Sequence, residues 1–299
     1  MGIADRFKNG ITRRGFVLGG AATGAATLLA GCSSKTGTSD DAAGEPQVVK
    51  DDSKIVSITD EYEAVDIDLE PTASWTLPLG TLLYYCDGDL SAAMMAPASA
   101  QHANTLGVLS LSDGSLTTLV EDPVEGTGYA FYDVRATDSV FAWIEMDYAN
   151  SAWKLYAQGL SGVSLTGNAV ELDRGGKDYD PPLFTAYGSS VIWYKMPASS
   201  GSKTSSDSFC YRQSVDESKP EVIWKSTGRF ASAPRVSDGI LTISPRVHND
   251  EGVYYGMTAI DLTDDNNKRA QLVLPSSVSP FEAVYMGDTF VFSIEATYN

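Results

Sequence analysis

The chain has 299 residues, of which 39 are Asp or Glu and 21 are Lys or Arg, and its formal net charge is −18 at pH 7. Nucleic acids and anionic lipid surfaces bind proteins through basic patches, so a chain this acidic is a poor match for either. We therefore predict that it has no nucleic-acid partner. Its length is sufficient for one large β domain or two smaller units.

The N-terminal 31 residues follow the pattern of a signal peptide. Basic residues precede an apolar stretch, residues 16–30, which is too short and too rich in Gly and Thr to span a membrane stably. Arg13 and Arg14, followed by Gly, Phe and Val, resemble the twin-arginine export motif. The apolar stretch ends in Leu-Ala-Gly-Cys at residues 29–32, which resembles a bacterial lipobox with Cys32 as the lipidated residue.

These two resemblances imply a lipoprotein that is anchored at the extracytoplasmic face of the cell membrane. In such proteins the signal is removed and the lipidated cysteine, here Cys32, becomes the new N-terminus. Each buried CH₂ group of an acyl chain such as palmitate contributes about 0.8 kcal/mol, so stable anchoring requires more than one chain. Residues 33–47 are small and polar, with almost no large apolar side chains, and this composition predicts a flexible tether.

Short apolar runs recur along the rest of the chain at nearly constant spacing. They are rich in β-branched and aromatic residues and are bounded by Gly, Ser or Asp, as buried strands are. Equivalent positions lie 51, 49 and 50 residues apart, at Val140, Val191, Ile240 and Phe290. The four runs are SVFAWIE (139–145), SVIWYK (190–195), GILTIS (239–244) and TFVFSI (289–294). We predict that TLLYYC (81–86) is an earlier, less regular member of the series.

The same order of elements surrounds each run: a strand with a tight turn before it, then an alternating strand and a shorter fourth strand after it. Four antiparallel strands in a repeat of about fifty residues are typical of a β-propeller blade. A β-sandwich of unrelated short strands is the competing interpretation, and it does not explain the regular spacing. We predict an all-β fold, a β-propeller of about five blades. Residues 89–103 are the one stretch with helical character, which Pro97 limits.

The blades resemble those of the TolB-like and WD40-like group of bacterial propellers. The resemblance is carried best by LGVLSLSDGSLTTLV at residues 106–120, in which an Asp-Gly turn joins two strands, and it covers roughly residues 75–299. Together with the export signal, the chain also resembles twin-arginine lipoproteins of Gram-positive actinobacteria. Neither resemblance rests on a catalytic motif.

The chain is predicted to divide into a signal peptide (residues 1–31), a flexible polar tether (32–52) and a β-propeller domain (53–299). The fifth repeat stops in its second strand, and the sequence leaves two explanations open. In the first, SKIVSI (53–58) and YEAVDIDL (62–69) supply the missing strands and close a five-bladed ring. In the second, the chain lacks further blades of a longer parent protein.

Residues that bind metals or redox cofactors are scarce. The two histidines, His102 and His248, are predicted in loops, and only Cys86 and Cys210 remain beside the lipidated cysteine. Because these residues are scattered, we predict no metal site and no cofactor. An exported protein is permitted a disulfide, so pairing of Cys86 with Cys210 stays open, with two buried thiols favoured.

Propellers place their binding sites where the innermost strands and the connecting loops line the central channel. The first strand of each repeat is predicted to be innermost, and polar residues in and beside these strands are the candidate binding residues. They are Asp133, Arg135, Asp180, Arg235 and Glu282. We predict that the domain binds a protein or a cell-envelope polymer such as a glycan, without catalysis.

A glycan-active five-bladed hydrolase or lyase is the alternative. Asp133, Asp180 and Glu282 come from three different repeats, and glycosidases protonate the leaving oxygen with one carboxyl group while another attacks or activates water. This hypothesis requires two carboxylates that face one another at roughly 5–9.5 Å. Carboxylates that are paired with arginines would contradict it.

Overall fold

The structure is a computed structural model that describes residues 70–85, 88–97, 99, 102–200, 203, 206–249, 252–274 and 278–294. The signal peptide, the tether, Cys86 and the two segments proposed to close the ring lie outside these ranges. In the described residues every regular element is a β-strand, and the strands form five antiparallel sheets in chain order.

Each of the first three sheets contains four strands in the order of the chain. The first consists of β1 (Thr81–Leu83), β2 (Leu90–Met95), β3 (Thr105–Ser110) and β4 (Leu116–Val120). The second consists of β5 (Ala130–Ala136), β6 (Val140–Asp147), β7 (Ala152–Ser161) and β8 (Ser164–Gly175). The third consists of β9 (Phe184–Tyr187), β10 (Ser190–Lys195), β11 (Ser208–Ser214) and β12 (Glu221–Ser226).

The fourth sheet has five strands, but two of them share one of the four strand positions of the blade. They are β13 (Arg235–Ser237), β14 (Ile240–Ile243), β15 (Arg246–Asn249), β16 (Gly252–Asp261) and β17 (Asn267–Val273). β14 and β15 are consecutive along the chain, and both pair with β16, at its C-terminal and N-terminal halves respectively. Pro245 lies between them and has no N–H to donate to the ladder, so it interrupts this strand position. The described part of the fifth sheet consists of β18 (Pro280–Met286) and β19 (Thr289–Ile294).

Successive sheets pack face to face, and each interface contains its own apolar cluster. Three of these clusters join the first to the second sheet, the second to the third, and the third to the fourth. A smaller one joins the fourth sheet to the fifth. Contacts between β5 and β9, β9 and β13, and β13 and β18 bring the first strands of neighbouring sheets together. The fold is therefore a β-propeller of four-stranded antiparallel blades, as the repeat spacing predicts.

The second strands of the first four blades are buried on both faces, which explains why their sequences are continuous apolar runs. In β6, Phe141 and Trp143 point into the cluster shared with the first blade. The alternate residues Val140, Ala142 and Ile144 point into the cluster shared with the third blade. Because both faces of the strand pack against a neighbouring sheet, both sets of side chains are apolar.

Two predictions for the first blade are wrong. The second strands begin at residues 90, 140, 190, 240 and 289, so the first member of the series is Leu90–Met95, not TLLYYC. Leu90–Met95 is also a strand where residues 89–103 were predicted to have helical character. Its sequence LSAAMM lacks β-branched residues, yet Ala92 and Ala93 are fully buried because small side chains fit between closely packed sheets.

One histidine also lies in a different element from the one predicted. His248 belongs to β15, the short strand that follows Pro245, and not to a loop. His102 lies in the irregular connection between β2 and β3 and is exposed.

Cys210 is a free thiol, buried in the cluster between the third and fourth blades, and this burial raises its pKa well above the usual value.

Gly107 in β3 offers a test of blade packing. A Cβ atom at this position would overlap with the backbone carbonyl oxygen of Thr117 on β4. We expect Gly107→Ala to lower the free energy of unfolding by about 1–3 kcal/mol in urea denaturation, because the backbone must shift to accommodate the methyl group. Gly128→Ala is the control, since a Cβ there has no neighbouring atom within 4 Å, and equal losses in both variants would contradict the prediction.

Candidate functional site

Four of the five predicted site residues lie on the first strands of their blades, which contact one another. Asp133 and Arg135 lie on β5, Arg235 on β13 and Glu282 on β18. Asp180 lies in the connection between β8 and β9, where its N–H donates to the carbonyl of Met196 at 3.2 Å. The contacts between the first strands of neighbouring blades explain why residues so far apart in sequence share this region.

Arg135 connects three blades. Its Nη1 donates to Oδ1 of Asp133 at 2.5 Å and to the carbonyl oxygen of Val134 at 2.7 Å. The guanidinium carbon lies 5.0 Å from the ring centroid of Tyr84 in the first blade and 5.1 Å from that of Phe184 in the third. The side chains of Arg135 and Asp133 are only 15% and 18% exposed, so solvent screens this pair weakly. Arg135 is thus an inter-blade contact as well as a candidate binding residue.

Arg235 forms a second connection, between the first, fourth and fifth blades. Its Nε and Nη2 donate to the two carboxylate oxygens of Glu282 at 3.1 and 3.2 Å, in the bidentate geometry that suits a guanidinium. Its guanidinium carbon also lies 5.9 Å from the ring centroid of Tyr85. The Tyr85 hydroxyl in turn donates to the carbonyl oxygen of Val236 at 3.4 Å.

Asp180 pairs with Arg229 at 2.8 Å, between the connections that lead into the third and fourth blades. Arg229 also donates to the carbonyl oxygen of Pro197, which fixes the guanidinium in place. All three carboxylates proposed for the hydrolase are therefore paired with arginines: Asp133 with Arg135, Asp180 with Arg229 and Glu282 with Arg235. The hydrolase hypothesis requires carboxylates that face one another and are not paired with arginines, so this pairing argues against it.

Two exposed tyrosines that sequence reasoning missed lie at the same end of the second blade. Tyr132 on β5 is 46% exposed, and Tyr148, directly after β6, is 64% exposed. Partial burial, then the neighbouring Tyr148 and the negative charges of Asp133 and Asp180, raise the pKa of Tyr132. The sequence pattern carries no signal for Tyr132, because this residue lies at a β-bulge where the register of β5 on β6 shifts between Phe131 and Asp133.

A buried carboxylate positions the loop beside this end of the blade. Glu145 on β6 is fully buried, and its side-chain oxygens accept hydrogen bonds from the N–H groups of Val124 and Glu125 at 2.8 and 3.0 Å. The indole N–H of Trp143 donates to the same carboxylate at 2.9 Å. Glu125 is held further by Lys154 at 2.7 Å and by the Tyr156 hydroxyl at 2.5 Å. This network fixes the connection between the first two blades.

Within the described ranges, no group of three or more His, Cys, Asp or Glu side chains is arranged to hold a metal ion. The same residues include no helix that is long and apolar enough to cross a membrane. The chemical groups at the first strands and their connections are thus arginine–carboxylate pairs, and exposed tyrosine rings lie near them.

Among the comparisons with known proteins, the search of solved structures is the one that finds proteins similar to this chain. No protein-family model matches the chain, and no curated protein sequence matches it. A prolyl endopeptidase aligns with a TM-score of 0.46 at 12% identity, over 71% of this chain and 30% of its own. TolB from Acinetobacter baumannii aligns with a TM-score of 0.36 at 12% identity, over 63% of this chain and 43% of its own.

The β-propeller domain of the trilobed protease from Pyrococcus furiosus, described as having an open velcro topology, aligns over 74% of this chain and 80% of its own. Its TM-score is 0.41 and its identity to this chain is 8%. The chain spans less than half the length of the prolyl endopeptidase and of TolB. The structural neighbours thus include TolB and a β-propeller domain, and at these scores they carry no argument about activity.

Proposed function

We propose that the protein is a twin-arginine-exported lipoprotein of the actinobacterial type whose β-propeller binds a protein or a cell-envelope polymer without catalysing a reaction. The anchor is an acylated Cys32 on the extracytoplasmic face of the cell membrane. Two motifs support this proposal, because Arg13 and Arg14 precede the apolar stretch and Cys32 follows it in the order that lipoprotein export requires. The small polar residues after Cys32 suit a tether that presents the propeller to its partner.

The observation that carries the non-catalytic role is the arginine pairing of the axial carboxylates. Asp133, Asp180 and Glu282 each have a guanidinium as partner, which favours a structural role over that of a hydrolase's pair of catalytic carboxyl groups. The arginines also join neighbouring blades, which gives the pairs a structural role. Exposed tyrosine rings lie beside these pairs. Each ring combines an apolar face with a polar hydroxyl group, and binding surfaces use this combination.

Replacement of the lipidated cysteine tests the anchor. We expect Cys32→Ala to move the protein from the membrane fraction to the soluble extracytoplasmic fraction, because the acyl chains supply the anchoring free energy. The measurement is immunoblotting of fractionated cells together with mass spectrometry of the N-terminal peptide. Cys86→Ser is the matched control and should stay with the membrane. A Cys32→Ala protein that remains in the membrane fraction would contradict the proposal.

A further inference from the structure

Strand β19 has one uncovered edge in the part of the chain that the structure describes. It pairs there with β18 alone, whereas the second strand of each of the first four blades lies between a first and a third strand. The sequence of β19, TFVFSI, is uncharged. An uncovered edge of β-branched and aromatic residues readily pairs with another strand, so proteins cover such edges. The occupant of this edge is either a segment of this chain or a second copy of it.

The connections in the described blades define the spacing that an occupant from this chain must have. In the first four blades, two to six residues separate the third strand position from the fourth. Six to nine residues separate the fourth strand of each blade from the first strand of the next. The segments SKIVSI (53–58) and YEAVDIDL (62–69) are three residues apart, and eleven residues separate the second segment from β1. Their places in the chain therefore match the third and fourth strands of a blade that precedes the first one.

The sequences of the two segments suit these two positions. In YEAVDIDL, Val65, Ile67 and Leu69 alternate with Asp66 and Asp68, so one face of a strand would be apolar and the other charged. The fourth strands β8 and β12 likewise combine exposed with buried positions, because they lie at the outer edge of their blades. SKIVSI contains three β-branched residues, which favour an inner strand.

Contacts at the first strands bring the fifth blade close to the place where the chain enters the first blade. Arg235 binds Glu282 on β18 through two hydrogen bonds, and its guanidinium carbon lies 5.9 Å from the ring centroid of Tyr85, just after β1. A Cβ atom on Gly114, in the turn between β3 and β4, would overlap with the indole of Trp75. The chain thus approaches β1 along the outer part of the ring, where the fourth strands lie.

We infer that residues 53–69 form a β-hairpin that completes the fifth blade, with residues 53–58 paired to β19 and residues 62–69 at the outer edge. Eleven residues extend to roughly 36 Å and neighbouring strands lie about 4.8 Å apart, so the connection to β1 is long enough to cross a blade. The hairpin covers the edge of β19 and joins the first blade to the fifth through backbone hydrogen bonds. The tether then connects the lipid anchor to the fifth blade. The inference is independent of the ligand that the propeller binds.

Hydrogen–deuterium exchange of the detergent-solubilised full chain tests this inference. We expect Val56→Pro to accelerate exchange of the β19 amides by about tenfold or more, because a proline in an inner strand breaks the ladder. Ala42→Pro, in the tether, is the matched control and should leave these amides as protected as in the parent chain. The amides of β6 report global unfolding and should not change. Equal protection of β19 in the Val56→Pro variant and the parent chain would overturn the inference.

Disulfide cross-linking keeps the inference testable if Val56→Pro does not fold. Opposed residues of antiparallel strands have Cα atoms about 4.5–5.5 Å apart, which a disulfide can bridge. In a Cys86→Ser background, Val291→Cys on β19 is combined in turn with Lys54→Cys, Ile55→Cys, Val56→Cys and Ser57→Cys. We expect an intramolecular cross-link in at least one pair and none with Thr38→Cys in the tether. No cross-link in any pair would overturn the inference, and so would a cross-link between two Val291→Cys chains, which would show that a second copy covers β19.

Discussion

Glu145→Ala is expected to lower the free energy of unfolding by about 3–5 kcal/mol, the largest loss predicted for a single side chain in this protein. The carboxylate is fully buried and accepts hydrogen bonds from the N–H groups of Val124 and Glu125 and from the indole of Trp143. Alanine leaves these donors without their acceptor and creates a cavity. Urea unfolding followed by tryptophan fluorescence measures the loss.

Glu145→Gln is the matched variant for this experiment. An amide keeps one acceptor oxygen but presents an NH₂ group to donors on its other side, so we expect a smaller loss, about 1–3 kcal/mol. A loss below about 1 kcal/mol for Glu145→Ala would show that water replaces the carboxylate as acceptor for the N–H groups of Val124 and Glu125. That result would contradict the role assigned to Glu145. Glu221→Ala, at an exposed position on β12, should have almost no effect.

Arg135→Ala is expected to lower the free energy of unfolding by about 2–4 kcal/mol, because it leaves Asp133 partly buried without its partner and removes two contacts between blades. Arg135→Lys should recover little of this loss, since an ammonium group does not reproduce a planar guanidinium that lies close to two aromatic rings. The thermal midpoint and urea unfolding of the two variants provide the measurement.

Arg174→Ala is the control for this second experiment. Arg174 also pairs with a carboxylate, that of Glu171, but its side chain is 69% exposed, so the pair contributes little to stability. A double-mutant cycle of Arg135→Ala with Asp133→Ala should give a coupling energy of about 1–3 kcal/mol. Equal losses for Arg135→Ala and Arg174→Ala would mean that Arg135 does not connect the blades.

The repeat architecture was predictable because a propeller blade is made from consecutive strands. Apart from β14 and β15, which both pair with β16, the strands of a blade pair with their neighbours along the chain, so turn residues and apolar runs mark the elements without knowledge of distant contacts. The prediction failed for β2, whose Ala- and Met-rich sequence has weak β propensity. Burial between two sheets overrides that propensity, and burial is a property of the assembled blades.

The candidate site was predictable only in part. Placement on the first strand of each repeat was enough to select Asp133, Arg135, Arg235 and Glu282. The pairing of Arg235 with Glu282 across 47 positions was not predictable, because it depends on how the fourth and fifth blades pack. Tyr132 was missed because a bulge in β5 shifts the alternation of side chains, and the sequence pattern does not locate the bulge.

The sequence by itself determined the fifty-residue period and the antiparallel blade, and it also predicts the export and lipidation motifs, since each of these features depends on a local run of residues. Only the tertiary structure decided which partner each axial side chain takes. Arg135 lies close to rings from the two blades on either side of its own, and Asp180 pairs with an arginine that precedes the fourth blade. Such contacts depend on the distance and angle between packed sheets, which local sequence patterns do not encode.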